Sequence, residues 1–384
     1  MPGLRSDEAS GLLFAAGATK EGIGQASPET LRGTQSTYRD AGVDIEAGDA
    51  AVERIRSHVA STTRPGVLGG VGGFGGLFDL AALGHYRDPL LVSSTDGVGT
   101  KALVAAELGV YDTLGYDLVA MCADDLVCTG AEPLFFLDYV LVGRLDPALV
   151  EQVVTGLAAA CREVGAAIVG GEMAEHPGQL PEGELDLAGF CVGAVERDRL
   201  LPQRVEPGCA LVGLASPNLR SNGFSLVRRV FAGRPLGGEA WPGAGRTLGQ
   251  VLLEPSVLFA PHARRLLEAL DVRALAHITG GGMVPKLGRV VPDGCVAVVD
   301  RSSWEPPRVF AEVQRAGDIS DDEMAAVFNL GIGMVAVVPA EEAAAACGLV
   351  EGARVIGEIV AAAPGDTERV AWAGAALQSG ERPS

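Results

Sequence analysis

Thr95-Asp96-Gly97-Val98-Gly99-Thr100-Lys101 puts a carboxylate, two glycines and a lysine within seven residues, where an apolar run ends and a helical pattern begins. Such a strand-to-helix junction presents unpaired helix N–H groups and suits a polyphosphate, with Asp96 available to a metal ion and Lys101 to phosphate charge. The competing structural reading makes Asp96 an N-cap and Lys101 a solvated side chain. In YDLVAMCADDLV, Asp117 and Asp124 are seven apart and share a helical face. Carboxylates among apolar neighbours are costly unless paired or metal-bound. Magnesium keeps several waters and takes one or two carboxylates beside phosphate oxygens, so Asp96 and Asp125 would suffice; the alternative is a solvated helix face.

Six glycines fall within the eight residues Gly69 to Gly76. A loop of this composition exposes backbone N–H groups, at Gly72, Gly73, Gly75 and Gly76 among others, and lets a phosphate approach closely. It lacks the Gly-Lys-Ser/Thr ending of a Walker A loop, and no strand before it or clear helix after it supports a Rossmann fingerprint. A merely mobile loop is the other reading. Glu172 follows a buried strand, at the strand end where open α/β sheets bind ligands, whereas Glu175 reads as a surface acid. Arg220-Ser221-Asn222-Gly223 precedes a helix, and His277-Ile278-Thr279-Gly280-Gly281-Gly282 follows a strand. Both are candidate anion-binding turns, although a lone histidine such as His277 is more often a satisfied core residue.

The elements that must position these residues alternate between strand-like runs and helical patterns, the signature of an α/β or α+β fold. Strands are predicted over 89–95, 133–143, 166–169, 187–195, 209–215, 295–299 and 328–338. Val52, Ile55 and Val59 form one helical stripe, and further helices are predicted over 100–108, 112–127, 147–164, 223–231, 256–270 and 283–291. The polar, proline-containing stretch 196–207 divides the chain into a domain over 37–200 and another over 201–363. Residues 1–36 and 364–384 read as a flexible leader and tail.

Composition narrows the ligand to a small molecule. A net charge of -19 over 384 residues repels nucleic acid and anionic membranes. No apolar run is long enough for a membrane span and the first residues lack a signal-peptide core, so a cytoplasmic protein is expected. The seven cysteines include no C-x-x-C pair and read as reduced, and the five histidines show no zinc-ligand spacing. Of 30 basic residues only Lys20, Lys101 and Lys286 are lysine, which makes each retained lysine a pointer to function.

Taken in order, these segments resemble the aminoimidazole ribonucleotide synthetase (phosphoribosylformylglycinamidine cyclo-ligase) family over about residues 38 to 362. The match runs through YRDAGVDIEAGDAAVERI, GGVGGFGG, STDGVGTK, DLVAMCADDLVCTGAEPLFFLDY, GGEMAEHPG, AGFCVG, RSNGFSLVR, HITGGG, PDG and FNLGIGM. The resemblance implies two α/β domains of the α+β type, a C-terminal mixed sheet, and a homodimer whose N-terminal sheets share a barrel, with ATP bound between domains and subunits. It implies ATP-dependent cyclisation of formylglycinamidine ribonucleotide to aminoimidazole ribonucleotide in purine biosynthesis, releasing ADP and phosphate with the help of Mg2+. Carried over by position, Gly72, Gly73, Gly75, Gly76, Asp96, Gly97, Lys101, Asp125 and Glu172 would hold ATP. Asp96, Asp125 and Glu172 would ligate magnesium. Asn222 and Gly280 to Gly282 would face the substrate, with His277, Arg220 and Lys101 as the catalytic side chains.

The chain departs from the family pattern at four positions: Arg56 stands for Lys, Asp124 for Asn, Met173 for Thr and Arg220 for His. Arginine keeps positive charge but cannot shuttle protons near neutral pH. A nucleotide-binding paralogue without turnover is therefore the alternative functional class.

Overall fold

The protein is described here by a computed structural model covering residues 37–70, 72–365 and 367–373. The expected leader over 1–36 lies outside the described residues. Asp44 caps the first helix, α1 (Ile45–Ala60), by accepting from the Ala47 N–H. β1 (Val67–Leu68) and β2 (Leu77–Phe78) pair antiparallel, so the glycine-rich segment is the tip of a short ladder and does have a strand before it. β3 (Pro89–Gly97), α2 (Lys101–Leu108), α3 (Asp112–Val127), β4 (Glu132–Val142), α4 (Pro147–Val164), β5 (Ala167–Glu175) and β6 (Leu185–Glu196) follow.

Their sheet has the order β3-β6-β4-β5, with β4 and β5 parallel across α4 and the other pairs antiparallel. One face is covered by α3 and α4, whose apolar stripes bury Leu114, Leu118 and Leu126 against Val150, Val153 and Leu157. Gly115 makes that helix contact possible, since a Cβ there would lie 2.1 Å from the Leu157 nitrogen. On the other face the period-two pattern leaves Leu91, Tyr139 and Phe190 exposed at 60%, 38% and 42%.

The second lobe opens with β7 (Cys209–Ala215). It continues with α5 (Phe224–Val230), α6 (Leu248–Leu252), α7 (Ala260–Ala269), β8 (Ala274–His277), α8 (Met283–Leu287) and β9 (Cys295–Asp300). Two helices, Arg308–Gly317 and Asp321–Val327, precede β10 (Ile332–Pro339), and β11 (Arg354–Ala361) and β12 (Val370–Ala373) complete a six-stranded sheet of order β12-β9-β11-β7-β10-β8. Several expectations need correction: the helix predicted over 283–291 ends at Leu287, and the strand over 328–338 begins only at Ile332. The single helix predicted over 256–270 begins only at Ala260, because the irregular residues before it hydrogen-bond to α3 through the Ser256 and Phe259 N–H groups. Part of the expected flexible tail is ordered, since β12 pairs parallel with β9.

One hydrophobic core runs through both lobes, from Leu118 and Leu126 on α3 to Phe259, Leu266 and Met334. The lobes meet across α3, and that seam positions the candidate site.

Candidate active site

A cleft of about 540 Å3 opens between the lobes, lined among others by Asp96, Gly97, Asp186, Asn222, Gly280 and Lys286. Asp96 ends β3, where its Oδ1 accepts from the Gly97 N–H at 2.7 Å. Burial and the nearby Asp125 charge raise its pKa despite that bond and the cations His277 and Lys286. On the opposite wall, Asn222 Oδ1 accepts from the Gly280 N–H at 3.1 Å, which ties the two predicted turns together. Gly282 is required there: φ is 71° and a Cβ would lie 1.8 Å from the Ala325 carbonyl oxygen. Gly281 has φ 97° and shapes the same turn.

Asp125 stands on the last turn of α3 with its side chain 47% exposed. His277, at the end of β8, meets its Oδ1 through Nδ1 at 2.7 Å. Burial works to raise the Asp125 pKa, but the His277 hydrogen bond and the charges of His277, Lys286 and Arg289 outweigh it and hold the carboxyl below its ordinary value. The His277 side chain is only 2% exposed. It is therefore turned into the seam between the lobes, against Asp125, and does not face a ligand directly, which corrects its expected role.

Lys101 and Arg220 require larger corrections. Lys101 opens α2 but is wholly buried, with Nζ 2.6 Å from Asp117 Oδ2 and donating to the carbonyls of Arg220 at 3.1 Å and Glu254 at 2.9 Å. Burial lowers its pKa, against the opposing pull of Asp117. Arg220 is equally buried, donating to Asp124 Oδ2 at 2.7 Å and lying over the Phe259 ring at 4.9 Å. Neither cation lines the cleft; each is paired to a carboxylate on the shared face of α3, which is why both are inside.

Glu172 lies elsewhere. It lines a second cavity, of about 330 Å3, beneath Gly72, Gly73, Gly75 and Gly76, whose apolar wall includes Val52, Ile55 and Ile168. Gly76 is sterically required, since a Cβ would meet Val169 at 2.6 Å, whereas a Cβ at Gly72 or Gly75 would meet open space. Gly72 is held to glycine by its φ of 110°, whereas Gly75 is demanded by neither packing nor backbone and suits close approach to a ligand. Glu172 is on β5 and Asp96 on β3, at opposite edges of the four-stranded sheet. Three strand spacings put them about 14 Å apart, too far to share an ion within one chain. Among the described residues no three His, Cys, Asp or Glu side chains gather for a metal.

Lys286, marked in the sequence only as a retained lysine, lines the cleft. Two further contributors were missed from sequence. Asp186 lines the same cleft and Asp138 the glycine-capped cavity, each hidden within a strand run. Glu175 is structural, accepting from the Asp44 and Leu145 N–H groups at 2.6 and 2.7 Å.

Residues 79–195 match the family described as AIR synthase related protein, N-terminal domain, and residues 206–367 match its C-terminal domain. A phosphoribosylformylglycinamidine cyclo-ligase of Anaeromyxobacter sp. (strain K) is 50% identical over 86% of this chain and 97% of its own length. That of Bifidobacterium animalis subsp. lactis (strain AD011) is 48% identical over 82% and 93%. The thiamine-monophosphate kinase structure from Stenotrophomonas maltophilia K279a shares the fold, with a TM-score of 0.60 at 19% identity, covering 84% of this chain and 95% of its own. Identity near one half across both lobes decides membership: the chain belongs to the phosphoribosylformylglycinamidine cyclo-ligase family.

Proposed function

We propose that the protein closes the imidazole ring of aminoimidazole ribonucleotide, consuming formylglycinamidine ribonucleotide and ATP and releasing ADP and phosphate. The observation that carries this reading is the cleft in which Asp96, with the Asp125 charge near it, shares a wall with the Asn222–Gly280 turn, in a chain about half identical to cyclo-ligases. An amide oxygen is a poor leaving group. Transfer of the γ-phosphoryl to the formyl oxygen expels ADP, and the amidine nitrogen then attacks the activated carbon. Phosphate departs with that oxygen, and the nitrogen sheds a proton. Magnesium, held by Asp96 and Asp125, would neutralise charge on the transferring phosphoryl group. Asn222 and the 280–282 turn that it braces orient the substrate, and Lys286 adds positive charge beside them.

ATP is assigned to the glycine-capped cavity and Glu172 of one chain together with the Asp96–Asp125 edge of a second copy, because one chain separates these groups. The uncovered sheet face bearing Leu91, Tyr139 and Phe190 supports a homodimer. A cytoplasmic setting accords with the seven free cysteines. Among the described residues no helix is long and apolar enough to cross a membrane.

The test is phosphate release by the purified protein. Stimulation by formylglycinamidine ribonucleotide with formation of the aminoimidazole product is expected; nucleotide binding without turnover would replace this reading with the paralogue. Light scattering should give twice the chain mass, and a mass near 39.4 kDa at working concentrations would remove the dimer.

A further inference from the structure

Asp124 and Asp125 are consecutive on α3 and flank one imidazole from the opposite lobe, Asp125 by a hydrogen bond and Asp124 at longer range. His277 Nδ1 meets Asp125 Oδ1 at 2.7 Å, and His277 Nε2 faces Asp124 Oδ2 at 3.9 Å with no hydrogen-bond partner. Asp124 is fully buried, and its Oδ1 accepts the Phe259 and Ala260 N–H groups at 2.8 Å each. Its Oδ2 accepts from Arg220 at 2.7 Å. Polar groups therefore line up from Arg220 in the interior to Asp125 beside Asp96, with the Asp124–His277 step an electrostatic contact at 3.9 Å and the other steps hydrogen bonds.

We propose that Arg220 is a positioning residue for the reaction: it fixes Asp124 against His277, and His277 in turn sets the Asp125 carboxylate that faces the cleft.

Arg220 is poorly explained as mere filler of the seam. Its Nε and Nη1 are buried without hydrogen-bond partners, and its backbone sits in the left-handed region at φ 58°. Taking a guanidinium out of water for one carboxylate is a costly way to fill space, and an apolar side chain would serve better. The backbone is pinned from both sides, with Arg220 N–H donating to Asn218 Oδ1 at 2.9 Å and Lys101 Nζ donating to the Arg220 carbonyl. What the guanidinium adds is direction, because it holds one oxygen of Asp124 in place. Positions 124 and 220 are also two of the four departures noted in the sequence, and the fold brings those two side chains into contact.

The inference rests on the magnesium role proposed for Asp125, so its test includes a measurement that needs no turnover. Arg220→His, Asp124→Asn and the double variant are compared by kcat, by the magnesium concentration for half-maximal rate, by calorimetric binding of ADP with and without magnesium, and by melting midpoint. Removing an outer partner of a ligand is expected to cost about 10–100-fold in metal affinity or activity in each single variant. The double variant should recover most of that loss, and KM for the ribonucleotide should stay near wild type throughout. Direct contact between Arg220 and phosphate would leave Asp124→Asn active and the double variant as impaired as Arg220→His, overturning the proposal. Lower melting midpoints with unchanged magnesium requirement in folded single variants would also overturn it. Should Arg220→His fail to fold, Arg220→Lys keeps the buried charge without the fork, and an unchanged magnesium requirement there would count against positioning. If the wild type proves catalytically silent, the functional reading fails, yet loss and recovery of magnesium-dependent ADP binding still decide this one.

Discussion

Replacing Lys101 by Met separates a buried structural lysine from an exposed phosphate ligand. The ammonium is wholly buried 2.6 Å from Asp117, whose Oδ1 accepts both the N–H and hydroxyl of Ser256. Methionine matches the stem but leaves Asp117 without its counter-charge and deprives the Arg220 and Glu254 carbonyls of a donor. Breaking one partner of a buried pair costs about 3–5 kcal/mol, and the Ser256 hydrogen bonds place this case at the lower end. At about 2–4 °C per kcal/mol for a domain of 150–250 residues, a loss of ~3 kcal/mol lowers the melting midpoint by about 6–12 °C. Lys101→Met/Asp117→Asn should regain part of that, since the remaining amide carries no charge. The assay is thermal and urea unfolding alongside kcat measured well below the melting range. A wild-type midpoint combined with collapsed turnover would refute the burial argument and restore Lys101 to the phosphate.

Glu132 accepts from Arg64 Nη2 at 2.8 Å and from the Tyr86 hydroxyl at 3.2 Å. Burial pushes its pKa up, but Arg64 and Tyr86 prevail and hold it below the ordinary 4.5. Its stabilisation is thus present above pH 4.5 and lost as pH falls through the lower folded value; Glu132→Gln should flatten that acid limb of urea unfolding, and an unchanged slope would contradict it. Asp138 runs the other way, since burial raises its pKa from 3.8 to about 7. The folded state keeps a proton that the unfolded chain releases, so this group's contribution declines as pH rises from 3.8 towards 7. Asp138→Asn should therefore raise the melting midpoint at pH 8 and leave it nearly unchanged near pH 3, and equal shifts at both would sink the assignment. Asp96→Asn and Asp125→Asn should each raise the magnesium requirement and cut turnover with the melting curve preserved; near-normal turnover in both at saturating magnesium would remove the metal assignment.

The pattern of apolar runs was enough to read β3, β4, β7, α3 and α4, because each buries a continuous stripe or face. It was not enough for β11, where Arg354 and Glu358 interrupt the run on its exposed positions, or for the four-residue β12. Within the site, Asp96, Asn222 and Gly280 were legible because turn chemistry fixes where such residues point. Lys101 and Arg220 were misread because sequence shows a charge without its depth. The seven-residue spacing of Asp117 and Asp124 announced one face of a helix, but not that the face would meet Ser256, Phe259 and Ala260.

That meeting also has a consequence for synthesis on the ribosome. Asp117 and its partner Ser256 are 139 residues apart. At roughly 5–20 residues per second, α3 emerges on the order of ten seconds before the segment that satisfies it. Through that interval Asp117 has Lys101 alone for a partner and Asp124 has neither Arg220 nor the Phe259 and Ala260 N–H groups, so hydration of these carboxylates opposes sticking of the helix to other nascent chains. The same charges that dock the finished lobes thus keep the unfinished one from aggregating.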